Sequence, residues 1–184
     1  MVEYNIKTIS KILKLEDFEL DSLNLNQIKH VPMHQYRLSS LEKSLLLIEN
    51  LQVCVGLYAY SKDFGFAAHL NPVVIRGDEF RCDKNKNIMC CNRIDDLFNS
   101  IVSSNTKKDI YIGISLGFNP VYQTYQLVNI LDNSIDELIL KLKNMGISAH
   151  KLELRNNHIF IVDTTNGNII TPSNIINKGN TKRK

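Results

Sequence analysis

Short apolar runs of four to eight residues, each closed by a turn signal, set the tightest limit on what this chain can fold into. Leu45-Leu46-Leu47-Ile48 and Val53-Cys54-Val55-Gly56-Leu57-Tyr58-Ala59-Tyr60 are rich in strand formers and are separated by Glu49-Asn50-Leu51-Gln52. That pattern predicts two strands with a turn between them. Ser61-Lys62-Asp63 breaks it, Gly65-Phe66-Ala67-Ala68-His69-Leu70 resumes it as a third strand, and Asn71-Pro72 ends that strand. Ile110 to Leu116 alternates as another strand, which Gly117-Phe118-Asn119-Pro120 terminates. Ser148 to Leu154, His158 to Val162 and Asn168 to Ile170 complete the set, with Asn166-Gly167 as a hairpin turn.

Two stretches carry a helical period instead. Ile94, Leu97, Phe98 and Ile101 fall at i, i+3, i+4 and i+7 within 93–102. A second helix is expected to start at Ser134, with Glu137 completing a capping box, Ile135, Leu138, Ile139 and Leu142 as its apolar face, and Gly146 as its stop. The first forty residues read as an irregular preface, and 76–92 as a long surface loop. Strands first, then helix, strand, helix and hairpin, predict an α+β fold: a mixed sheet or sandwich core with two or more packed helices. The expected organisation is an N-terminal extension over 1–40, one domain over 41–172, and a mobile basic tail over 173–184.

At 184 residues the chain suffices for one ordinary domain, which buries roughly 70% of its unfolded surface without needing disulfides or metal. The formal charge of +3 is more than supplied by Lys178, Lys182, Arg183 and Lys184, so the body is close to neutral. That argues against nucleic-acid binding, which calls for a basic stripe with interleaved aromatics. No apolar run approaches the ~18 residues of a membrane span. The opening MVEYNIKTISK lacks the build of a signal peptide, so a cytoplasmic protein is expected. Cys54, Cys82, Cys90 and Cys91 show no regular framework and read as thiols, with disulfide pairing left open.

Cys54 and His69 are the sharpest chemical positions. On antiparallel neighbours joined near Ser61 to Asp63, both side chains can reach one end of a sheet, close together at the rim of a pocket. A Cys–His pair is the minimum that can make a thiolate and then protonate a leaving amine. The plain reading of each alone is a small buried hydrophobe and a satisfied structural histidine. His30 and His34 have the spacing of a helical metal site, but Pro32 lies between them. Cys82 with Cys90-Cys91 lacks a partner pair for a tetrahedral zinc set.

The segment Leu51-Gln52-Val53-Cys54-Val55-Gly56-Leu57, followed by Gly65-Phe66-Ala67-Ala68-His69-Leu70-Asn71-Pro72, resembles the nucleophile and base strands of the chemoreceptor glutamine deamidase family (CheD). That family shares its catalytic fold with the toxin domain of cytotoxic necrotizing factor. The order continues with the Arg93 helix, Leu116-Gly117-Phe118-Asn119, the Ser134 helix ending in Gly146-Ile147, and the turn from Asp163 to Gly167. The likeness spans about two-thirds of the chain. It implies a cysteine-dependent amidohydrolase that deamidates glutamine side chains on a partner protein, with no metal or organic cofactor. Cys54 would be the nucleophile and His69 the base. The family's Gly-Ser-Cys is Gln52-Val53-Cys54 here, and Ile48 stands where the family places a threonine. Asn50 or Gln52 is the candidate replacement for that polar member, and Gln52 for an oxyanion donor. A non-catalytic protein-interaction module on the same scaffold, or a different cysteine hydrolase, is the alternative.

Overall fold

The computed structural model describes residues 28–39, 44–62, 64–72, 75–76, 79–80, 94–104, 109–164 and 167–171. Strands are β1 (Ile28–His30), β2 (Gln35–Ser39), β3 (Leu45–Ile48), β4 (Val55–Ser61), β5 (Phe64–Leu70), β6 (Ile75–Arg76), β7 (Glu79–Phe80), β8 (Ile110–Leu116), β9 (Ala149–Lys151), β10 (Phe160–Asp163) and β11 (Asn168–Ile170). Helix α1 covers Ile94–Ser104 and α2 covers Tyr122–Asn144. A five-stranded sheet has the order β2-β5-β4-β8-β9 and a four-stranded sheet the order β1-β3-β10-β11, while β6 pairs with β7. Both larger sheets are mixed, through the parallel pairs β1/β3 and β8/β9. The fold is α+β, as the order of elements predicts.

Alternation along the central strands explains the layering. Val55, Leu57 and Ala59 of β4, with Phe64, Phe66, Ala68 and Leu70 of β5, pack toward Leu97, Phe98 and Ile101 of α1 and the buried stripe of α2. The opposite face carries Cys54, Tyr58, Tyr60 and Ala67, which pack on Leu46, Ile48, Phe160, Val162 and Ile169 of the four-stranded sheet. Helices, five-stranded sheet and four-stranded sheet therefore form three layers with two cores. Between the sheets Gly56 is needed for close approach, because a Cβ there would lie 2.6 Å from the Phe160 ring.

Three expectations change. Residues 28–39 are not an irregular preface: β1 pairs with β3 and β2 with β5, so they close an edge of each sheet. Ser134 does not cap a helix. It lies half-buried in the fourth turn of α2, because Leu127, Val128 and Leu131 extend the stripe of Ile135, Leu138 and Leu142 toward the N-terminus. The α2 start is held instead by Thr124, whose Oγ1 accepts from the Val121 N–H at 3.1 Å, while the Thr124 N–H donates to the Val121 carbonyl at 2.9 Å. The helix does stop at Gly146, which has φ +78°. The hairpin glycine, Gly167, has φ +63° between antiparallel β10 and β11, while Asn166 lies outside the described residues. Within the expected surface loop, Arg76 and Glu79–Phe80 are not irregular but pair as parts of β6 and β7; the rest of that loop, residues 1–27 and the basic tail lie outside the described residues.

Candidate active site

The turn that delivers Cys54 is built from backbone. After β3, Asn50 adopts the left-handed conformation with φ +57°, which asparagine tolerates better than most residues. Leu51 is fully buried, and its N–H donates to the His158 carbonyl at 3.0 Å. Every carbonyl from residue 51 to 54 is then taken. Phe118 N–H donates to Leu51 (2.8 Å), Asn119 N–H to Gln52 (3.0 Å), Gly117 N–H to Cys54 (3.1 Å). The Thr124 hydroxyl donates to Val53 at 2.7 Å. Gly117 makes this possible, since a Cβ there would overlap the Gln52 carbonyl oxygen.

The amides of the same turn have the opposite character. In a planar trans peptide the N–H points away from the preceding carbonyl. The carbonyls of Leu51, Gln52 and Val53 face the 117–124 segment, so the N–H groups of Gln52, Val53 and Cys54 face away from it. Among the described residues those three amides donate to nothing. Successive free amides of this kind make a concavity suited to negative charge.

Cys54 and His69 lie where adjacent antiparallel strands predict. His69 stands opposite Gly56, two residues beyond Cys54. It is also two residues from Ala67, so both side chains enter the space between the sheets. The expected pocket rim is not what surrounds them: Cys54 is 3% exposed and His69 4%. Burial pushes the Cys54 thiol up to about 11 and pulls the His69 imidazole down to about 4. No hydrogen bond joins the two, and both ring nitrogens of His69 are buried without a partner. The Val31 backbone opposes the His69 shift but reaches neither nitrogen in hydrogen-bonding geometry. At pH 7 the pair is therefore thiol and neutral imidazole, not a resting ion pair.

The other expected residues separate. Asn50 is exposed, and its left-handed turn accounts for it. Gln52 is exposed, with Oε1 accepting from Asn119 Nδ2 at 3.4 Å, on the carbonyl side of the turn. His30 ends β1, and His34 has φ +66° in the turn leading to β2, so Pro32 interrupts a strand-to-strand crossing rather than a helix. His30 Nε2 lies 3.5 Å from Glu49 Oε1. No three metal-ligating side chains gather among the described residues. Cys82, Cys90 and Cys91 lie outside them. Two surface cavities formed by described residues, about 310 Å³ beside Phe98 and Leu138 and about 250 Å³ beside Ile114 and Lys151, are lined by neither Cys54 nor His69.

Sequence reasoning missed Thr124 and Gly117. Thr124 lies 71 residues from the carbonyl it binds, and no local signal marks such a contact. Gly117 shows in the sequence only as a strand terminator. Neither the family models nor the curated proteins compared with this chain match it. No described helix is long and apolar enough to cross a membrane.

Proposed function

We propose that this chain is a cysteine-dependent amidohydrolase acting on the carboxamide of a glutamine presented by a partner protein, on a scaffold of the chemoreceptor glutamine deamidase type. The observation that carries the reading is the Cys54 turn. It holds all its carbonyls on one side, leaves three successive amides free on the other, and ends in a thiol that shares a face with an unpartnered imidazole.

The chemistry follows from those groups. His69, neutral at pH 7, accepts the Cys54 proton, and the thiolate attacks the carboxamide carbon. The oxyanion takes the free amides of the turn, which stabilise it without reorganisation. Collapse breaks the C–N bond, and ammonia leaves with the proton from His69. Water, deprotonated by the same imidazole, hydrolyses the thioester and restores the thiol with glutamate as product. Because burial holds the thiol protonated, the nucleophile forms in the substrate complex, and engagement of the partner must uncover it.

The interaction-module reading is favoured by one observation, the 3% exposure of Cys54. Ammonia release and glutamine-to-glutamate conversion, followed by mass spectrometry with candidate partner proteins, separate the two. The amidohydrolase reading expects Cys54→Ser and His69→Ala each to lower turnover at least ~100-fold. Tight partner binding with no ammonia from the parent chain would establish the module instead.

A further inference from the structure

The second sheet packs mainly on β4 and β5, and the same face of the five-stranded sheet continues outward over β8 and β9. There Tyr60, Tyr111 and His150 stand directly opposite one another on β4, β8 and β9. Tyr60 stacks on Tyr111 at 5.4 Å and Tyr111 on His150 at 5.0 Å, while Tyr58 lies 6.5 Å from Tyr60 at an interplanar angle of 8°. The row holds the two β4 rings in place. Tyr58 leans over β8 because position 113 has no side chain: a Cβ there would lie 2.6 Å from the Tyr58 hydroxyl oxygen. That hydroxyl is buried without a hydrogen-bond partner, and the Tyr60 hydroxyl has none among the described residues.

Arg155 completes the cluster. Residue 112 pairs with 151 but Ser115 pairs with Arg155, so four residues beyond β9 run against three of β8, and the bulge re-aims the chain. Ser115 shares its face with Tyr111 and Gly113, and Arg155 follows Ser115. Arg155 is half-buried, and its guanidinium makes no ion pair, hydrogen bond or cation–π contact among the described residues. Burial pushes the Tyr58 phenol up to about 12 and raises Tyr60 too, with the Arg155 charge opposing both shifts. Both phenols are therefore O–H donors at pH 7. The Ser115 hydroxyl is engaged elsewhere, donating to the Asn157 carbonyl at 2.9 Å.

We infer that Tyr58, Tyr60 and Arg155 form a binding site for a phosphate monoester. The guanidinium fork takes two oxygens from the β9 side. The two hydroxyls come from the β4 side and meet a third oxygen, which a tetrahedral phosphoryl group has and a planar carboxylate lacks. Tyr58 is the floor of the site and the long Arg155 side chain its outer wall. Tyr58 and Tyr60 lie four and six residues beyond Cys54, about 13 and 20 Å along an extended strand, so the site stands apart from the amidohydrolase reading.

Full-length protein is titrated at low salt with methyl phosphate and with malonate, a carboxylate probe of matching charge. The Arg155 Nε–H and the Tyr58 and Tyr60 ring signals are followed by NMR. The site expects methyl phosphate to bind about tenfold tighter than malonate or better, the scale of one charge-assisted hydrogen bond. Arg155→Gln should abolish that preference and Arg155→Lys keep part of it. Tyr58→Phe should weaken methyl phosphate about threefold or more without lowering the melting temperature, because the deleted hydroxyl has no partner in the free protein. A merely structural hydroxyl would do the reverse. Equal binding of the two anions overturns the inference, and that comparison needs no variant to fold. Methyl phosphate binding that survives both Tyr58→Phe and Arg155→Gln overturns it as well. Glycerol 3-phosphate and N-acetyl-O-phosphoserine amide separate the sources: tighter binding of the first supports a site for a free metabolite, and of the second a site for a partner's phosphorylated side chain.

Discussion

Removing the hydroxyl of Thr124 tests the idea that the start of α2 holds the Cys54 turn in place. Thr124→Val keeps the shape of a residue that is 0% exposed but deletes two hydrogen bonds. One is the 3.1 Å bond from the Val121 N–H, the other the 2.7 Å bond to the Val53 carbonyl. Each such bond contributes ~0.5–1.5 kcal/mol net, and an unsatisfied partner adds to the loss where water cannot reach it. Val121 is exposed and Val53 half-buried, so water replaces part of what is lost. The expected destabilisation is ~1–3 kcal/mol in urea unfolding, a fall of ~2–12 °C in melting temperature for a chain of this size. Thr124→Ser retains the hydroxyl and should lose less. A second readout follows the turn itself: Cys54 should react faster with a disulfide reagent in Thr124→Val than in the parent, because one carbonyl anchor is gone. Unchanged stability and unchanged thiol reactivity in Thr124→Val, or a larger loss in Thr124→Ser, would refute the argument.

Other outcomes follow from the same structure. Ser134→Ala should change stability by less than ~0.5 kcal/mol in urea unfolding, since Ser134 is inside α2 and caps nothing, whereas Leu138→Ala should cost ~2–5 kcal/mol. Gly117→Ala should cost more than ~1 kcal/mol and accelerate thiol labelling, because its Cβ meets the Gln52 carbonyl; a silent substitution would show that the 117–119 segment can shift freely. His69 has a folded-state pKa lowered from 6.5 to about 4, so its contribution to stability is present above pH 6.5 and is lost as pH falls toward 4. His30 and His34 act in the same direction. His69→Gln should flatten this acid limb, and an identical pH profile for the variant would count against the buried neutral imidazole. Cys54 has the mirror-image behaviour: its pKa is raised from 9.0 to about 11, so its share of stability is full below pH 9 and fades as pH rises toward 11. Iodoacetamide labelling of Cys54 at pH 7 should accordingly be much slower than that of a free peptide thiol.

The strands with uninterrupted apolar or alternating character were legible because their signal is local. Residues 45–48, 65–70 and 110–116 coincide with β3, β5 and β8 to within one residue, and 53–60 overlaps β4. The helix over 93–102 is α1, running from 94 to 104. The first half of α2 was hidden because Asp132-Asn133-Ser134 imitates a helix start. Tertiary burial of Leu127, Val128 and Leu131 overrides that imitation by rewarding one continuous stripe. β1 and β2 were hidden for another reason. Ile28–His30 is too short to show a period, and Gln35–Ser39, though polar and apolar residues alternate along it, is a five-residue edge strand among residues without a clear pattern; both exist through pairing with β3 and β5.

What the sequence determined by itself about the site is the company of Cys54 and His69: two apolar strands joined by a short turn must pair, and a period of two then places both residues on one face. Their state was decided only by the tertiary structure. The second sheet closes over that face, and removal of water raises the thiol, lowers the imidazole and leaves both neutral. The same is true of the free amides at residues 52–54. Their direction comes from carbonyls bound by Gly117, Phe118, Asn119 and Thr124, more than sixty residues along the chain. Periodicity reports which face a side chain takes, because that depends on neighbours in sequence; hydrogen-bond partners and dielectric depend on neighbours in space.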